Sequence, residues 1–492
     1  MMGLLVKNFP ETPSTLTRES IDSFAHSIEQ MCLLEDTFIQ KFDCFCDAKN
    51  INGVIAMLAS SISFSSDTRV HVNNGFAKLI RQLLAEGKLE SALILENLLY
   101  STYVKKIETE EHYQSFFSPL SKAYQDIIPR NQSRKIDSTG YLFVLHTASF
   151  LAHVNPLLAM LQTNGFERNK RENIAIVVLD RVSKTFYDTF KNIGIDIFSC
   201  EHIQGIAEKI AHIERIRLHA GYQQVIWQCL PIWISLAARL ISNLNWWSVK
   251  FHPGIFDLRV YIGSVGGQKD FVMHGNQWRN FTAPISIKNL SKNNETNWEI
   301  RRNQFGCFTR EELIDNSDYW NLVQALLARH TNLSFHYAGR KPVHHKWAHP
   351  KSAVINRIKF LGWLKSPETK LTEYAFLLDP TPLGHGNLAR EAFAASIPII
   401  YKEQGIQPPT CTIHKLLMTS PDIEEAIRCN KNGGKFQTSY SNIDELIEIS
   451  VRLLHDQQLN MAVGRLYRSL LKTQFNPKAW DEFRTTLDEG NK

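Results

Sequence analysis

Residues 377–393 read LLDPTPLGHGNLAREAF, and they are the most informative stretch for the fold class. A buried strand ends at Asp379, a turn rich in proline and glycine follows, and a helix begins near Asn387. Glycine permits close approach of the backbone to a ligand. The free amides at the helix start, near Asn387 and Leu388, suit a phosphate oxygen through hydrogen bonding and the helix dipole. The stretch therefore predicts an α/β domain that binds a phosphate-bearing ligand.

Glu391 adds a second binding group to this predicted helix. It lies four residues after Asn387, about one helical turn, so the two residues face the same direction. A carboxylate in this position can accept two hydrogen bonds from ribose hydroxyls. The alternative interpretation is a plain strand–loop–helix turn with a surface glutamate.

Continuous apolar runs alternate with helical patterns on both sides of this stretch. Such runs are typical of parallel strands that are buried on both faces. A polar stretch at residues 288–302 separates two series of them. We therefore predict two Rossmann-like α/β domains that face a cleft, at residues 137–300 and 301–492, with ligands at the carboxyl ends of the strands. The clearest strand candidates are residues 141–146, 174–180, 195–198, 224–227, 246–251, 257–262, 305–308, 333–338, 358–361, 375–379 and 399–401.

Residues 1–136 have a different pattern, with apolar residues recurring at spacings of three and four. This periodicity indicates helices that bury one face. We predict an all-α N-terminal domain. It has no clean internal repeat, so a helical-repeat array stays an open alternative. The predicted helices cover residues 20–38, 54–60, 74–86, 89–103 and 111–127.

Composition excludes several classes of protein. A length of 492 residues exceeds what a single core supports. Apolar residues make up 43% of the chain, which is typical of globular proteins and not of disordered ones. A net charge of +6, from 55 basic and 49 acidic residues, is too small an excess to indicate a nucleic-acid partner.

Cysteine spacing and hydropathy predict a cytoplasmic protein. Among eight scattered cysteines, Cys44 and Cys46 are close together, but they lack the second pair that a zinc site needs. We interpret the cysteines as reduced thiols. The longest apolar stretch, residues 225–247, is interrupted by polar residues and Pro231, so we expect a buried helix and a strand there and no membrane span. The N-terminal apolar run is too short for a signal peptide.

The stretch from Gly386 to Glu391, continued to Pro398 and Ile400, resembles the donor-binding signature of glycosyltransferases with two Rossmann-like domains, the GT-B fold. Within that superfamily, the chain looks most like the family that contains O-linked N-acetylglucosamine transferase and the bacterial cytoplasmic adhesin N-glycosyltransferases. Those proteins also place a helical region before the catalytic core. The resemblance extends over residues 140–475.

This resemblance implies a set of donor-binding residues. Arg310 matches a position where the family has a lysine on the donor diphosphate, and its planar guanidinium can bind phosphate in a bidentate manner. Glu391 matches the ribose-binding carboxylate, which is often aspartate in the family. Arg340 and Lys341 are competing phosphate-binding cations, with an ordinary charged strand end as the alternative. The segment that matches the phosphate-contacting turn comprises His385, Gly386, Asn387 and Leu388.

Two histidines flank the loop after the first predicted strand, His146 and His153. A histidine at this edge can act as a general base, because its unperturbed pKa of about 6.5 suits proton removal near neutral pH. The segment from His153 to Pro156 resembles the histidine-containing loop of the family, but the register fits either residue. A structural role is the alternative for each. His252, His274 and the pair His344–His345 are expected to be core or surface residues.

The resemblance implies transfer of a hexose or N-acetylhexosamine from a UDP-sugar to a protein or glycan, with inversion and with no cofactor besides the donor. The sequence contains no Asp-x-Asp triplet, which argues against the metal-dependent, single-domain glycosyltransferases. We expect no metal site. Two alternatives stay open: a sugar-nucleotide epimerase of the same fold, and a non-catalytic module that binds a nucleotide sugar or a protein.

Overall fold

A computed structural model of the chain describes residues 35–59, 66–103, 110–131, 136, 140–148, 154–163, 173–228, 232–248, 252–254, 256–261, 270–273, 275–281, 298–309, 313–314, 317–339, 352–364, 368–380, 387–403, 437–473 and 477–490. These residues form a helical region followed by two α/β units, each built on a largely parallel sheet. The predicted fold class is therefore confirmed. No helix in these ranges is long and apolar enough to cross a membrane.

The helical region packs its helices through aromatic and aliphatic side chains. Its described helices are α1 (Glu35–Asp47), α2 (Ile51–Ala59), α3 (Ser66–Ala85), α4 (Leu89–Thr102) and α5 (Glu110–Ile127). Helix α1 runs nine residues beyond its predicted end, because Phe42 and Phe45 continue the buried face that Phe38 begins. The first part of that predicted helix lies outside the described residues.

The first sheet has eight strands in the order β3-β2-β1-β4-β5-β6-β8-β7. Every pair is parallel except the β7–β8 hairpin. Helices on the sheet faces bury the strands, as their continuous apolar runs predict. The strands are β1 (Gly140–Leu145), β2 (Asn173–Val178), β3 (Asp196–Ser199), β4 (Gln224–Trp227), β5 (Leu244–Ser248), β6 (Leu258–Tyr261), β7 (Asp270–Met273) and β8 (Asn276–Asn280). The helices are α6 (Val154–Leu161), α7 (Lys184–Lys191), α8 (Ile206–Ala220) and α9 (Ile234–Leu240).

The second sheet has six parallel strands in the order β11-β10-β9-β12-β13-β14. Its strands are β9 (Gln304–Phe308), β10 (Ser334–Ala338), β11 (Ile358–Gly362), β12 (Phe376–Leu378), β13 (Ile399–Lys402) and β14 (Ser439–Tyr440). Its helices are α10 (Trp298–Arg301), α11 (Ser317–Arg329), α12 (Ser352–Ile355), α13 (Glu368–Leu371), α14 (Asn387–Ala394), α15 (Ile443–His455) and α16 (Gln457–Thr473).

The last helix, α17 (Ala479–Gly490), returns to the first sheet. Its Trp480 is fully buried and contacts Tyr141 of β1 edge to face, with ring centroids 5.4 Å apart. Phe483 packs against Trp247 of β5 at 4.8 Å. The first sheet, the helical region and α17 thus share one hydrophobic core, while the second sheet has its own. The predicted boundaries at residues 136 and 300 stay a prediction.

His252 shows how closely the helical region and the first sheet are joined. Its side chain is almost fully buried between Phe117 of α5 and Trp246 of β5, and its Nδ1 accepts a hydrogen bond of 2.9 Å from the Gly254 amide. Burial lowers the pKa of His252 to about 3. The imidazole is therefore neutral in the folded protein, and His252 is a core residue, as the sequence predicts.

Replacing His252 by asparagine should change how stability depends on pH. In the wild type, the unfolded chain binds a proton at His252 below pH 6.5 and the folded chain does not. The free energy of unfolding should therefore fall by up to about 5 kcal/mol between pH 6.5 and pH 3 from this residue alone. The carboxamide introduced by His252→Asn can still accept from the Gly254 amide, but it does not titrate.

The measurement is urea unfolding at several pH values between 7 and 3.5. His252→Asn should be less stable at pH 7, because the smaller side chain leaves a cavity, and should lose less stability on acidification. His336, whose pKa burial lowers to about 4, contributes the same trend in both proteins, so the difference between them isolates His252. Parallel pH curves for the two proteins would contradict the assignment.

Candidate donor-binding and active site

The order of strands makes neighbours of the two strands that precede the predicted donor-binding segments. The second sheet grows from β9 through β10 to β11 on one side and through β12 on the other, so its direction reverses between β9 and β12. Ligands of open parallel sheets bind beyond the carboxyl ends of the strands at such a reversal. Arg310 follows β9 by two residues, and the glycine-rich turn follows β12.

The backbone that leads to Arg310 is held firmly. The Thr309 amide donates to the Ala338 carbonyl at 3.0 Å, and the Tyr337 hydroxyl donates to the Thr309 carbonyl at 3.0 Å. Gly339 has a φ of +155°, and a Cβ there would lie 2.2 Å from the Thr309 oxygen. This position therefore requires glycine. Arg310 itself lies outside the described residues, as do Arg340 and Lys341.

Helix α14 begins at Asn387, and the sequence predicts a helix start near Asn387 and Leu388. Because β12 and β13 are parallel neighbours and α14 connects them, the helix starts at the carboxyl edge of the sheet. Leu388 and Glu391 are half-buried, and the Glu391 Oε2 atom is buried. His385 and Gly386 precede the described part of the helix, so their phosphate-binding role stays a prediction.

Helix α16 packs against α14 and fixes its position. Phe393 is fully buried, and its ring centroid lies 4.3 Å from that of Tyr467. Gly464 allows the two helices to approach, since a Cβ there would lie 2.1 Å from the Ser396 carbonyl oxygen. Ser396 has a left-handed φ of 58°. This packing sets the direction of α14 and therefore the direction in which its first turn faces.

Arg390 is a further charged group of this helix, and sequence reasoning did not select it. Its Nε atom is buried and has no hydrogen-bond partner within the described part of the chain. Burial lowers the pKa of Arg390 to about 10. A guanidinium beside Glu391 suits an anionic ligand. Arg390 lies within residues 377–393, the stretch that is most informative for the fold. A cation in a helical pattern is usually a solvated surface residue, so the pattern did not indicate Arg390 as a binding residue.

The first sheet reverses direction in the same way, between β1 and β4. His146 follows β1 directly. The carbonyl of Leu145 accepts from the Leu179 amide at 2.9 Å, and the carbonyl of Val144 accepts from the Gln228 amide at 3.0 Å. Neighbouring strands on both sides therefore fix the chain that presents His146. The imidazole stands at the position where this fold places ligands.

The environment of His146 favours the neutral imidazole. Its ring stacks on the indole of Trp233, with centroids 4.9 Å apart and planes 27° from parallel. The Nε2 atom is buried and has no hydrogen-bond partner among the residues described. Burial lowers the pKa of His146, which Asp180 partly offsets by raising it and Lys209 reinforces. A neutral imidazole nitrogen that has no hydrogen-bond partner among the described residues can accept a proton.

Four other histidines considered in the sequence lie outside the described residues. His153 lies one residue before α6, outside the described residues, so the choice between His146 and His153 as base stays a prediction. His274, His344 and His345 also lie outside them. Within the described ranges, no three His, Cys, Asp or Glu side chains form a cluster that could hold a metal ion.

Trp233 and Glu96 are contacts of the candidate site that sequence reasoning missed. Trp233 precedes α9 with a left-handed φ of 62°, and its amide donates to the buried carboxylate of Glu96 at 2.8 Å. The sequence carries no signal for this contact, because Glu96 is 137 residues away and lies in an apolar helical pattern.

Comparisons with known proteins agree with this architecture. No protein-family model matches the chain, and no curated protein matches it by sequence. A solved structure of a mutant O-GlcNAc transferase from Thermobaculum terrenum is similar over 96% of this chain and 94% of that one, with a TM-score of 0.62 and 11% identity. A glycosyltransferase from Rickettsia africae is similar over 72% and 99%, with a TM-score of 0.49 and 11% identity. A TarM mutant from S. aureus is similar over 71% and 99%, with a TM-score of 0.45 and 9% identity. The first likeness includes the helical region and shows that the chain has the GT-B fold.

Asp180→Asn should lower the pKa of His146 further, because it removes a negative charge that favours the imidazolium. Lys209→Met should raise that pKa, because it removes a positive charge that disfavours the same form. The measurement is an NMR titration of the imidazole C–H resonances, with the His146 signal assigned by its loss in His146→Gln. Equal pKa values of His146 in the three proteins would show that its ring is remote from both side chains.

Proposed function

We propose that the protein is an inverting, metal-independent glycosyltransferase that takes a hexose or N-acetylhexosamine from a UDP-sugar. The observation that carries this proposal is the half-buried Glu391, which lies one helical turn after the start of α14, at the reversal point of the second sheet. Its carboxylate suits the two ribose hydroxyls of a nucleotide. The amides at the start of α14 and the cation Arg310 suit the diphosphate. Arg340 and Lys341 are alternative cations for the same group.

The proposed reaction has an activated acceptor and a stabilised leaving group. His146 Nε2 removes a proton from the acceptor while the acceptor atom attacks the anomeric carbon from the side opposite the diphosphate. The new bond forms as the anomeric carbon–oxygen bond breaks, and its electron pair leaves on the diphosphate. The negative charge that develops there is stabilised by Arg310 and by the amides of α14. His153 takes the role of base if His146 does not.

A protein or glycan is the proposed acceptor. Protein glycosylation fits the helical region before the catalytic core, which resembles that of the protein-modifying family. A sugar-nucleotide epimerase and a non-catalytic binding module remain the competing functions. An epimerase needs carboxylate bases within the donor pocket itself, whereas here a neutral imidazole stands at the reversal point of the other sheet.

Glu391→Gln should weaken donor binding with little effect on folding, because the residue is only half-buried and glutamine keeps the shape of the side chain. Loss of the charged acceptor should raise the Kd for UDP about tenfold or more. The measurement is calorimetric titration with UDP and with UDP-N-acetylglucosamine. Glu448→Gln is the matched control, since Glu448 is an exposed glutamate on α15 of the same domain. Unchanged affinity in a folded Glu391→Gln protein would remove Glu391 from the donor site.

Radiolabelled UDP-glucose and UDP-N-acetylglucosamine should distinguish the three candidate functions. A transferase moves the label to peptides with Ser, Thr or Asn, or to oligosaccharides, and releases UDP as it does so. An epimerase changes the sugar without an acceptor, and a binding module leaves the donor intact. We expect transfer.

His146→Ala should lower kcat about 100-fold or more while the donor Kd is unchanged, as for loss of a general base. Full activity in His146→Ala would show that His146 is not the base, and His153 would then be the candidate base.

A further inference from the structure

We propose that Glu96, in the helical N-terminal region, is a positioning residue for the candidate base His146 and acts through Trp233. The proposal rests on the proposed function of His146. It gives the helical region a direct part in the chemistry of the site, in addition to any part in acceptor binding.

Glu96 forms two buried hydrogen bonds that join three elements. One carboxylate oxygen accepts from the Trp233 amide at 2.8 Å, and the other accepts from the Tyr124 hydroxyl of α5 at 3.1 Å. Glu96 and Tyr124 are fully buried. The Trp233 indole Nε1 also donates to the Leu93 carbonyl of α4, at 3.0 Å. Helix α4 therefore holds Trp233 at both its backbone and its ring.

Trp233 needs this support because of its backbone conformation. Its φ of 62° and ψ of −2° lie in the left-handed region, which bulky residues rarely adopt. Such a conformation persists where surrounding contacts determine it. Without Glu96, the Trp233 amide would be buried and lack an acceptor, which is unfavourable. The backbone would then relax toward an ordinary conformation, and the indole would turn with it.

The indole of Trp233 is the surface on which His146 rests. The two rings are stacked at 4.9 Å, while the His146 Nε2 makes no hydrogen bond to the described residues. Among the described residues, the stack on Trp233 is therefore a contact that orients the imidazole. A shift of the indole moves Nε2 relative to the acceptor, and a displacement of about 1 Å can reduce a rate about 100-fold.

A carboxylate is an unusual choice for this place in the core. The other core-facing residues of α4 include Ala92, Leu93, Leu95 and Leu99, all fully buried and apolar. Burial raises the pKa of Glu96 to about 7, whereas the hydrogen bonds from Trp233 and Tyr124 lower it. Glu90 is an acidic neighbour on the same helix, and it acts on Tyr124 by charge. An apolar side chain would satisfy packing, so the carboxylate is explained by the amide that it accepts from.

Three variants of the full chain test the proposal. Glu96→Leu removes the acceptor and keeps an apolar side chain in the core. Glu96→Gln keeps a carbonyl oxygen for the Trp233 amide and removes the charge. Glu90→Gln is the matched control from the same helix: Glu90 accepts from the amides of Ile206 and Ala207 at 2.9 Å, so this change perturbs the packing of α4 on α8 without touching Trp233.

The first measurement is the NMR titration of His146, which does not depend on activity. Glu96→Leu should move the pKa of His146 toward 6.5, because a displaced indole exposes the ring to water. Glu96→Gln and Glu90→Gln should leave the wild-type value. An unchanged His146 titration in folded Glu96→Leu would overturn the proposal. If Glu96→Leu does not fold, Trp233→Gly, which permits the left-handed backbone but removes the indole, must produce the same shift.

The second measurement separates kcat from KM in the transferase assay. Glu96→Leu should lower kcat about tenfold or more with the donor KM within about twofold of the wild type, and Glu96→Gln should restore most of kcat. A purely structural role for Glu96 predicts equal losses in Glu96→Leu and Glu90→Gln at equal stability, and that result would overturn the proposal. If His146→Ala keeps full activity, the proposed function of His146 fails, while the NMR titration still tests its positioning by Glu96.

Discussion

The reversal of strand order in each sheet is the constraint on which the rest of the molecule depends. In the first sheet β1 lies between β2 and β4, and in the second sheet β9 lies between β10 and β12. Parallel strands place their carboxyl ends at one edge, so the reversal opens a crevice at that edge. His146 follows β1, Arg310 follows β9, and the glycine-rich turn follows β12, so each candidate segment begins at such a crevice.

Much of this arrangement could be predicted from local sequence. Continuous apolar runs marked most strands of both sheets, and the run that ends at Asp379 located α14 within one residue. These elements are specified by contacts among near neighbours. The β7–β8 hairpin was missed because its strands are only partly buried at the sheet edge and carry no continuous apolar run. Helix α17 is amphipathic, but its partners Tyr141 and Trp247 lie hundreds of residues earlier, so its docking on the first sheet has no local signal.

The same distinction applies to the candidate site. Glu391 and His146 could be chosen because each stands at a strand end or a helix start that the pattern reveals. Glu96 and Trp233 could not, since a glutamate in an apolar helix and a tryptophan in an apolar stretch both read as ordinary helix positions. Their proposed roles rest on a left-handed backbone and on contacts between distant elements. The support of a site is therefore harder to read from sequence than the groups that it supports.

The proposed chemistry requires different electrostatic environments at the two sheets. A leaving diphosphate needs cations and amides, which α14 and Arg310 supply in the proposed site. An imidazole must be neutral before it can accept a proton as a general base. A nearby cation lowers the pKa of the imidazole, which keeps it neutral but also makes it a weaker base. In the first sheet, burial against Trp233 and, to a smaller extent, the charge of Lys209 lower the pKa of His146, while Asp180 offsets part of that effect. With the proposed diphosphate-binding cations on one sheet and the proposed base on the other, the cations do not lower the pKa of the base. The helical region packs on the first sheet through a shared hydrophobic core, and that core holds the surroundings of His146 in place.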